Sequence, residues 1–280
     1  MALTVYKNEK RIQEPFVSII MLTHNAKAYV KHSIESLRNT DSTVKYELIV
    51  LDNASNRSTR IALKKLLKKN YIDQLLLSDE NTLFSKGNNI ASRYASNSSR
   101  YLLLLNSDIE IRNRKWLSAL LNIHRKGVTA LGLSDRENNR PDGFCYLVDK
   151  ELFEKDFLNE HYAWFFSLAR LTASILNDGY HVNTIEKYEN LLYHYGGKSG
   201  RVSSASGMDT SMEEISRWFN GHNCNYIEKL ELNKNDICYN PSFWLNKKAA
   251  WKLVIKPYRK RLKKFLIRHH LYEFLKKGIH

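Results

Sequence analysis

RYLLLLNSDIEIRNRKWLSALL, residues 100–121, passes from an apolar run, Tyr101 to Leu105, straight into Asn106, Ser107 and Asp108. An apolar run this short, bounded by turn formers, reads as a strand buried on both faces of a parallel sheet. Short polar side chains end such a strand, because they favour turns. In open α/β sheets the ligand crevice lies beyond the carboxyl ends of the strands, so a carboxylate emerging there is placed to meet a ligand. Asp108, with small neighbours and no adjacent His or Cys, suits a hard divalent ion such as Mg²⁺ or Mn²⁺, which also accepts phosphate oxygens. Taken alone, the tripeptide is equally consistent with an aspartate that caps the next turn.

On the N-terminal side, a polar arm ends at Pro15 and FVSIIML, residues 16–22, predicts a first buried strand that stops at Thr23, His24 and Asn25. AKAYVKHSIESLRN then carries Ala28, Tyr29, Ser33, Ile34 and Leu37 at helical spacing. YELIVL, residues 46–51, predicts the next strand and ends at Asp52 and Asn53. A helix over Thr59 to Lys69, a strand near Gln74 to Leu77, and a loop turning helical through SDENTLFSKGNNIASRYA lead to the strand at Tyr101. Strands alternating with helices argue for right-handed βαβ units, and here the polar strand ends fall on one edge of the sheet.

On the C-terminal side, WLSALLNIHRK is an amphipathic helix, VTALGLSD a strand, and RENNRPDG a turn. FCYLV, residues 144–148, is a strand before a helix at Lys150 to Lys155, and Glu160 to Leu176 predicts one long buried helix stopped by Asn177, Asp178 and Gly179. YHVNTI is a last strand, and GGKSGRVSSASG beyond it predicts a mobile loop. No internal repeat is visible.

The chain has 280 residues, 43% hydrophobic and 11% aromatic, enough for a full core, and a net charge of +15 that favours a polyanionic partner. Cys145, Cys224 and Cys238 are odd in number and lack CxxC spacing, which speaks against a disulfide framework or a zinc site and for a reducing compartment. MALTVYKNEKRIQEP lacks the apolar core of a signal peptide, and no run of about 18 apolar residues occurs. From Asn246 the tail interleaves cations with Trp251, Leu253, Val254, Ile255, Leu262, Phe265, Leu266, Ile267 and Leu271, opposed only by Glu273. That pattern fits an interfacial helix on an anionic membrane, or equally a helix packed on the core with a solvated basic face. No nucleic-acid partner is expected, because no recognition motif accompanies the charge. His124, His222, His269 and His270 have no partner at metal spacing and read as surface or structural.

With the strand ends in place, the first half resembles the family 2 glycosyltransferases, most closely the rhamnosyltransferase-like branch. The resemblance is carried by VSIIMLTHNAKAYVKHSIESL, YELIVLDNAS, ENTLFSKGNNIA and YLLLLNSDIEIRNRKWLSALL, in the family's order and spacing. It is dense over residues 16–121, thinner over 122–199 and absent beyond. It implies a GT-A fold: a mixed, mainly parallel sheet flanked by helices over residues 1–200, with a nucleotide-sugar half at about 16–121 and an acceptor half at about 122–200. Residues 201–280 are then a mobile loop and a basic amphipathic helical tail. It also implies an inverting, metal-dependent transfer from a UDP- or dTDP-sugar to a glycan or lipid-linked saccharide; the basic tail adds the expectation of a cytoplasmic enzyme peripheral on the inner face of a bacterial membrane.

Carried over by position, the resemblance puts Thr23 and Asn25 in the nucleotide pocket and Asp52 on the pyrimidine base. Asn81, Phe84 and Asn89 fall around the nucleoside and sugar, although Leu83 replaces the usual glycine, and Lys86 in the same loop could help neutralise the donor's charge. Asn106, Ser107 and Asp108 match the Asp-any-Asp motif in its Asn-start form, with Asp108 as metal ligand and His194 assisting it; Lys198 and Arg201 could neutralise diphosphate charge. The chain departs from the family where FFEDVDLCLRLRRAGY is usual and FFSLARLTASILNDGY stands. Ser167 and Leu168 replace the carboxylate pair that supplies the base, and an inverting transfer needs a base within reach of the acceptor oxygen. Asp142, Glu160 and His161 are the candidates, each also readable as a turn or helix-start residue. The competing expectation is a degenerate sugar-nucleotide-binding or scaffold protein.

Overall fold

The computed structural model describes residues 1–10, 14–40, 43–164, 166–198 and 210–238. The chain divides into two units, Met1–Cys238 and Tyr239–His280. The second unit, and with it the basic helix expected from Asn246, lies outside the described residues, as does most of the Gly/Ser-rich loop.

The strands are β1 (Leu3–Lys7), β2 (Val17–Thr23), β3 (Tyr46–Asn53), β4 (Gln74–Ser78), β5 (Tyr101–Leu105), β6 (Ile109–Ile111), β7 (Gly127–Leu131), β8 (Leu133–Asp135), β9 (Arg140–Pro141), β10 (Cys145–Asp149), β11 (His181–Lys187), β12 (Leu192–His194) and β13 (Asn225–Lys229). The helices are α1 (Lys27–Arg38), α2 (Arg57–Lys68), α3 (Leu83–Ser92), α4 (Trp116–Ile123), α5 (Lys150–Asp156), α6 (Ser167–Asn177) and α7 (Met212–Trp218). Nine strands form one sheet in the order β1-β4-β3-β2-β5-β10-β7-β11-β13. The pairs β4-β3, β3-β2, β2-β5, β7-β11 and β11-β13 run parallel, and β1 and β10 run antiparallel to their neighbours.

Every residue of β3, β4 and β5 is buried, which explains their unbroken apolar character: a parallel sheet covered on both faces has no solvent side. Val30, Ile34 and Leu37 of α1, Leu63 and Leu66 of α2, and Trp116 and Leu120 of α4 pack on one face. Ile90 of α3, Phe153 of α5, Leu171 and Ile175 of α6, and Ile215 of α7 pack on the other. Two registers build the functional edge. β10 sets Cys145 against Leu105, so the residues just before it lie beside the end of β5, and Asn106 N–H donates to Phe144 C=O at 2.8 Å. β12 pairs His194 with Ile109 of β6, which brings a distant histidine next to Asp108.

Two expectations need correction. The polar N-terminal arm contains β1, an edge strand on β4. The single helix expected over Glu160 to Leu176 is helical only from Ser167. The chain before it spends its backbone groups on α3 instead: Ala163 C=O accepts from the N–H groups of Phe84 and Ser85, and Asn89 holds both ends of the Leu158 peptide. Those bonds satisfy the free donors of the first turn of α3 and leave none for a longer α6. Met212 to Asp236, beyond the last strand expected from sequence, adds α7 and β13 to the first unit.

Candidate functional site

A cleft of about 320 Å³ opens at the carboxyl ends of β2, β3 and β5. Thr23 and His24 come from the end of β2, Asn53 from β3, Asn106 to Asp108 from β5, Asp142 to Phe144 from the approach to β10, and Ser167 and Leu168 from the start of α6. Asp108 is almost fully buried. Its Oδ1 lies 3.3 Å from His194 Nε2, its Oδ2 accepts from the Lys198 N–H at 3.2 Å, and its C=O accepts from the Tyr195 N–H at 2.9 Å. The His194 ring stacks on Phe144, centroids 4.4 Å apart and 18° between planes, and Asn106 Nδ2 approaches its Nε2 at 3.3 Å. The imidazole is therefore fixed from its face and its edge. Tyr29, at the start of α1, has its phenol pushed up by burial and then by the Asp108 charge, and the Lys198 ammonium lies 5.7 Å from its ring.

A carboxylate and an imidazole converging within hydrogen-bond distance suit a divalent ion that takes its remaining ligands from phosphate and water. Among the described residues no cluster of three or more His, Cys, Asp or Glu is arranged as a metal cage. Two side chains at an open cleft fit an ion shared with a ligand.

The remaining residues singled out from sequence divide by place. Thr23, Asn81, Phe84 and Asn106 line the cleft with Asp108. Asp52 is fully buried below it; Oδ2 accepts from Arg60 Nε at 2.9 Å and from the Ser55 N–H at 3.2 Å, while Oδ1 is buried without a partner. Asn25, in the left-handed region at φ 58°, clasps the neighbouring loop: its N–H donates to Ser55 Oγ at 2.7 Å and its Oδ1 accepts from the Asn56 N–H at 2.9 Å. Lys86 pairs with exposed Glu80 at 3.3 Å. Asn89 is buried, donating to Glu160 Oε1 at 3.0 Å as well as holding Leu158. Of the candidate bases, Asp142 lines the cleft, whereas Glu160 and His161 are exposed and do not.

Ser107 and Ser167 also line it, and each has a buried hydroxyl without a partner. Ser134, Phe144, Trp164 and Phe166 are lining residues that the sequence reading did not single out. Only the close register of β10 with β5 brings Phe144 there, and no spacing rule announces it. Leu83 holds the left-handed position, φ 58°, that a glycine occupies without strain.

A mixed sheet of this order, with Asp108 just beyond the end of parallel β5 and His194 brought to it by the antiparallel β6-β12 pair, has the GT-A architecture. The sequence matches the model of glycosyl transferase family 2 over residues 18–166, more than half of the chain. The protein belongs to that family. No curated protein matches the sequence. Among solved structures, the mannosyltransferase PcManGT from Pyrobaculum calidifontis, in complex with GDP-Man and Mn²⁺, is 19% identical with a TM-score of 0.55, over 69% of this chain and 60% of that one. S. aureus TarS 1–349 is 18% identical with a TM-score of 0.48, over 57% of this chain and 55% of that one. The chain thus spans little more than half the length of either, and at 19% identity the likeness to PcManGT is one of fold.

Proposed function

We propose that the protein transfers a sugar, with inversion, from a UDP- or dTDP-sugar to a glycan or lipid-linked saccharide, using Mg²⁺ or Mn²⁺ held by Asp108 and His194. The observation that carries this reading is the 3.3 Å approach of Asp108 Oδ1 to His194 Nε2 at the open end of β5. A bound ion there would neutralise charge as the diphosphate leaves. The chain's own groups supply the rest. The Lys198 cation offsets charge on phosphate oxygens, Thr23 and Asn106 shape the nucleotide side, and Asn81 and Phe84 border the sugar. Asp52 Oδ1 has no protein partner, which supports a pyrimidine ring N–H as its donor, but the atom is buried off the cleft, so the base reaches it only when the groups covering it move aside. PcManGT, bound to a nucleotide sugar together with Mn²⁺, supports the pairing of donor and ion.

The charge supports an acceptor on the inner face of a bacterial membrane. Besides the basic tail, α2 turns Arg57, Lys64, Lys65 and Lys68 outward on one stripe with Ile61, which is 46% exposed. Cations flanking an exposed aliphatic side chain suit an anionic bilayer. The absence of a carboxylate at Ser167 and Leu168 favours a second reading, a scaffold that binds the donor without turning it over. Incubation with UDP- and dTDP-hexoses, Mn²⁺ and lipid-linked saccharides separates them: nucleotide release coupled to a new glycosidic bond supports the transferase, and binding without either supports the scaffold.

A further inference from the structure

Transfer to a hydroxyl leaves a proton that some group must take. We infer that Asp142 takes it, as the catalytic base of this cleft. The inference rests on the transferase reading and assigns its acceptor side.

Among the described residues, the titratable side chains lining the cleft are His24, Asp108, Asp142 and Lys198. His24 has both ring nitrogens engaged: Nδ1 donates to Asn53 C=O at 2.5 Å and Nε2 accepts from Asn25 Nδ2 at 2.9 Å, so no lone pair is left for a proton. Asp108 is committed to His194 and to the Lys198 N–H. A lysine ammonium has no acceptor.

Asp142 is exposed, and its Oδ1 accepts from the Gly143 N–H at 2.6 Å while Oδ2 keeps its lone pairs. Its backbone is pinned, with its N–H donating to Gly132 C=O at 2.8 Å. The wall around it is tight: a Cβ on Gly143 would lie 2.6 Å from Leu168 Cδ1, and one on Gly132 would lie 3.2 Å from Asp142 Cβ. Leu168 therefore packs against the loop that presents Asp142. Beside it, Ser167 keeps a buried, unpartnered hydroxyl on the cleft, which offers a hydrogen bond to a substrate oxygen.

The step balances. The acceptor oxygen forms a bond to the anomeric carbon, its proton passes to Asp142 Oδ2, and the bond from that carbon to the phosphate oxygen breaks with its electron pair leaving on the nucleoside diphosphate. Water can stand in for the acceptor, so hydrolysis of the donor reports on the base without an identified acceptor.

The test is hydrolysis of a panel of UDP- and dTDP-hexoses by the full chain with Mn²⁺, beside calorimetric binding of UDP and Mn²⁺. Asp142→Asn should lower kcat by about 10²–10⁴-fold with donor KM and UDP affinity unchanged. Formate should restore part of the rate in Asp142→Ala and none in the wild type. Wild-type kcat in either variant overturns the assignment, as does a wild-type chain that binds UDP and Mn²⁺ yet hydrolyses no donor. A chain that binds neither overturns the donor reading itself.

Discussion

Charge at single residues decides how this protein responds to pH. Asp149, at the end of β10, is buried, which opposes its ionisation. The hydrogen bonds it accepts from His124 Nε2 at 3.0 Å and from the Gly127 N–H at 2.7 Å outweigh that and hold its carboxyl below the usual range. The folded state then binds this proton more weakly than the unfolded one, so the stabilisation is complete above the unfolded value, about 4, and is lost as pH falls through the lower folded value. Asp149→Asn should cost about 1–3 kcal/mol at pH 7. Chemical denaturation across pH should show the gap to wild type narrowing below about pH 4; a gap that stays constant there would mean that the carboxylate is not its source. At the site, sequence and structure agree on residue type more than on place. Asp108 and His194 meet although far apart in the chain, because the β6-β12 pair joins them. Asn25, Lys86 and Asn89 carry polar side chains in the expected loops, yet their hydrogen bonds go to other protein groups. Spacing reveals which loop a residue occupies, and the competition for its hydrogen bonds is settled only in three dimensions.

Among the elements, those with strong apolar periodicity were legible, and those whose pattern is short or polar were not. β2, β3 and β5 are continuous apolar runs buried on both faces, and they are found where the sequence puts them. β6 has three residues with a buried Glu110 at its centre, and β13 is an edge strand exposed at all but Ile227, so neither carries a readable alternation. The long helix expected through Ser167 fails because Phe166 takes a left-handed conformation, φ 66°, and the preceding backbone caps α3. Gly127 is a stricter requirement. It opens β7 at φ 138°, and an added Cβ would stand 1.9 Å from the His181 C=O of β11. Gly127→Ala should destabilise by more than about 3 kcal/mol, because backbone on both strands must shift. A thermal midpoint equal to that of wild type would show that the two strands part without cost.

For the whole molecule, the net charge of +15 favours a polyanionic partner, and the proposed one is an anionic bilayer. Flotation with neutral and anionic vesicles checks this. Lys64→Gln with Lys65→Gln and Lys68→Gln should lower binding to anionic vesicles, each charge contributing about fivefold, and a chain ending at Asn246 should lose a further part. Equal flotation of all three proteins would show that neither these lysines nor the tail binds the bilayer. The proposed function turns on chemistry: we propose that a pyrimidine diphosphate is held at the open end of the parallel strands through an ion gripped by Asp108. Calorimetric titration of UDP into the wild type and Asp108→Ala, each with and without Mn²⁺, tests it most directly. Wild-type affinity should rise with Mn²⁺, and Asp108→Ala should bind UDP weakly and indifferently to the metal. A wild type whose UDP affinity ignores Mn²⁺, or a variant that keeps the full Mn²⁺ effect, would contradict it.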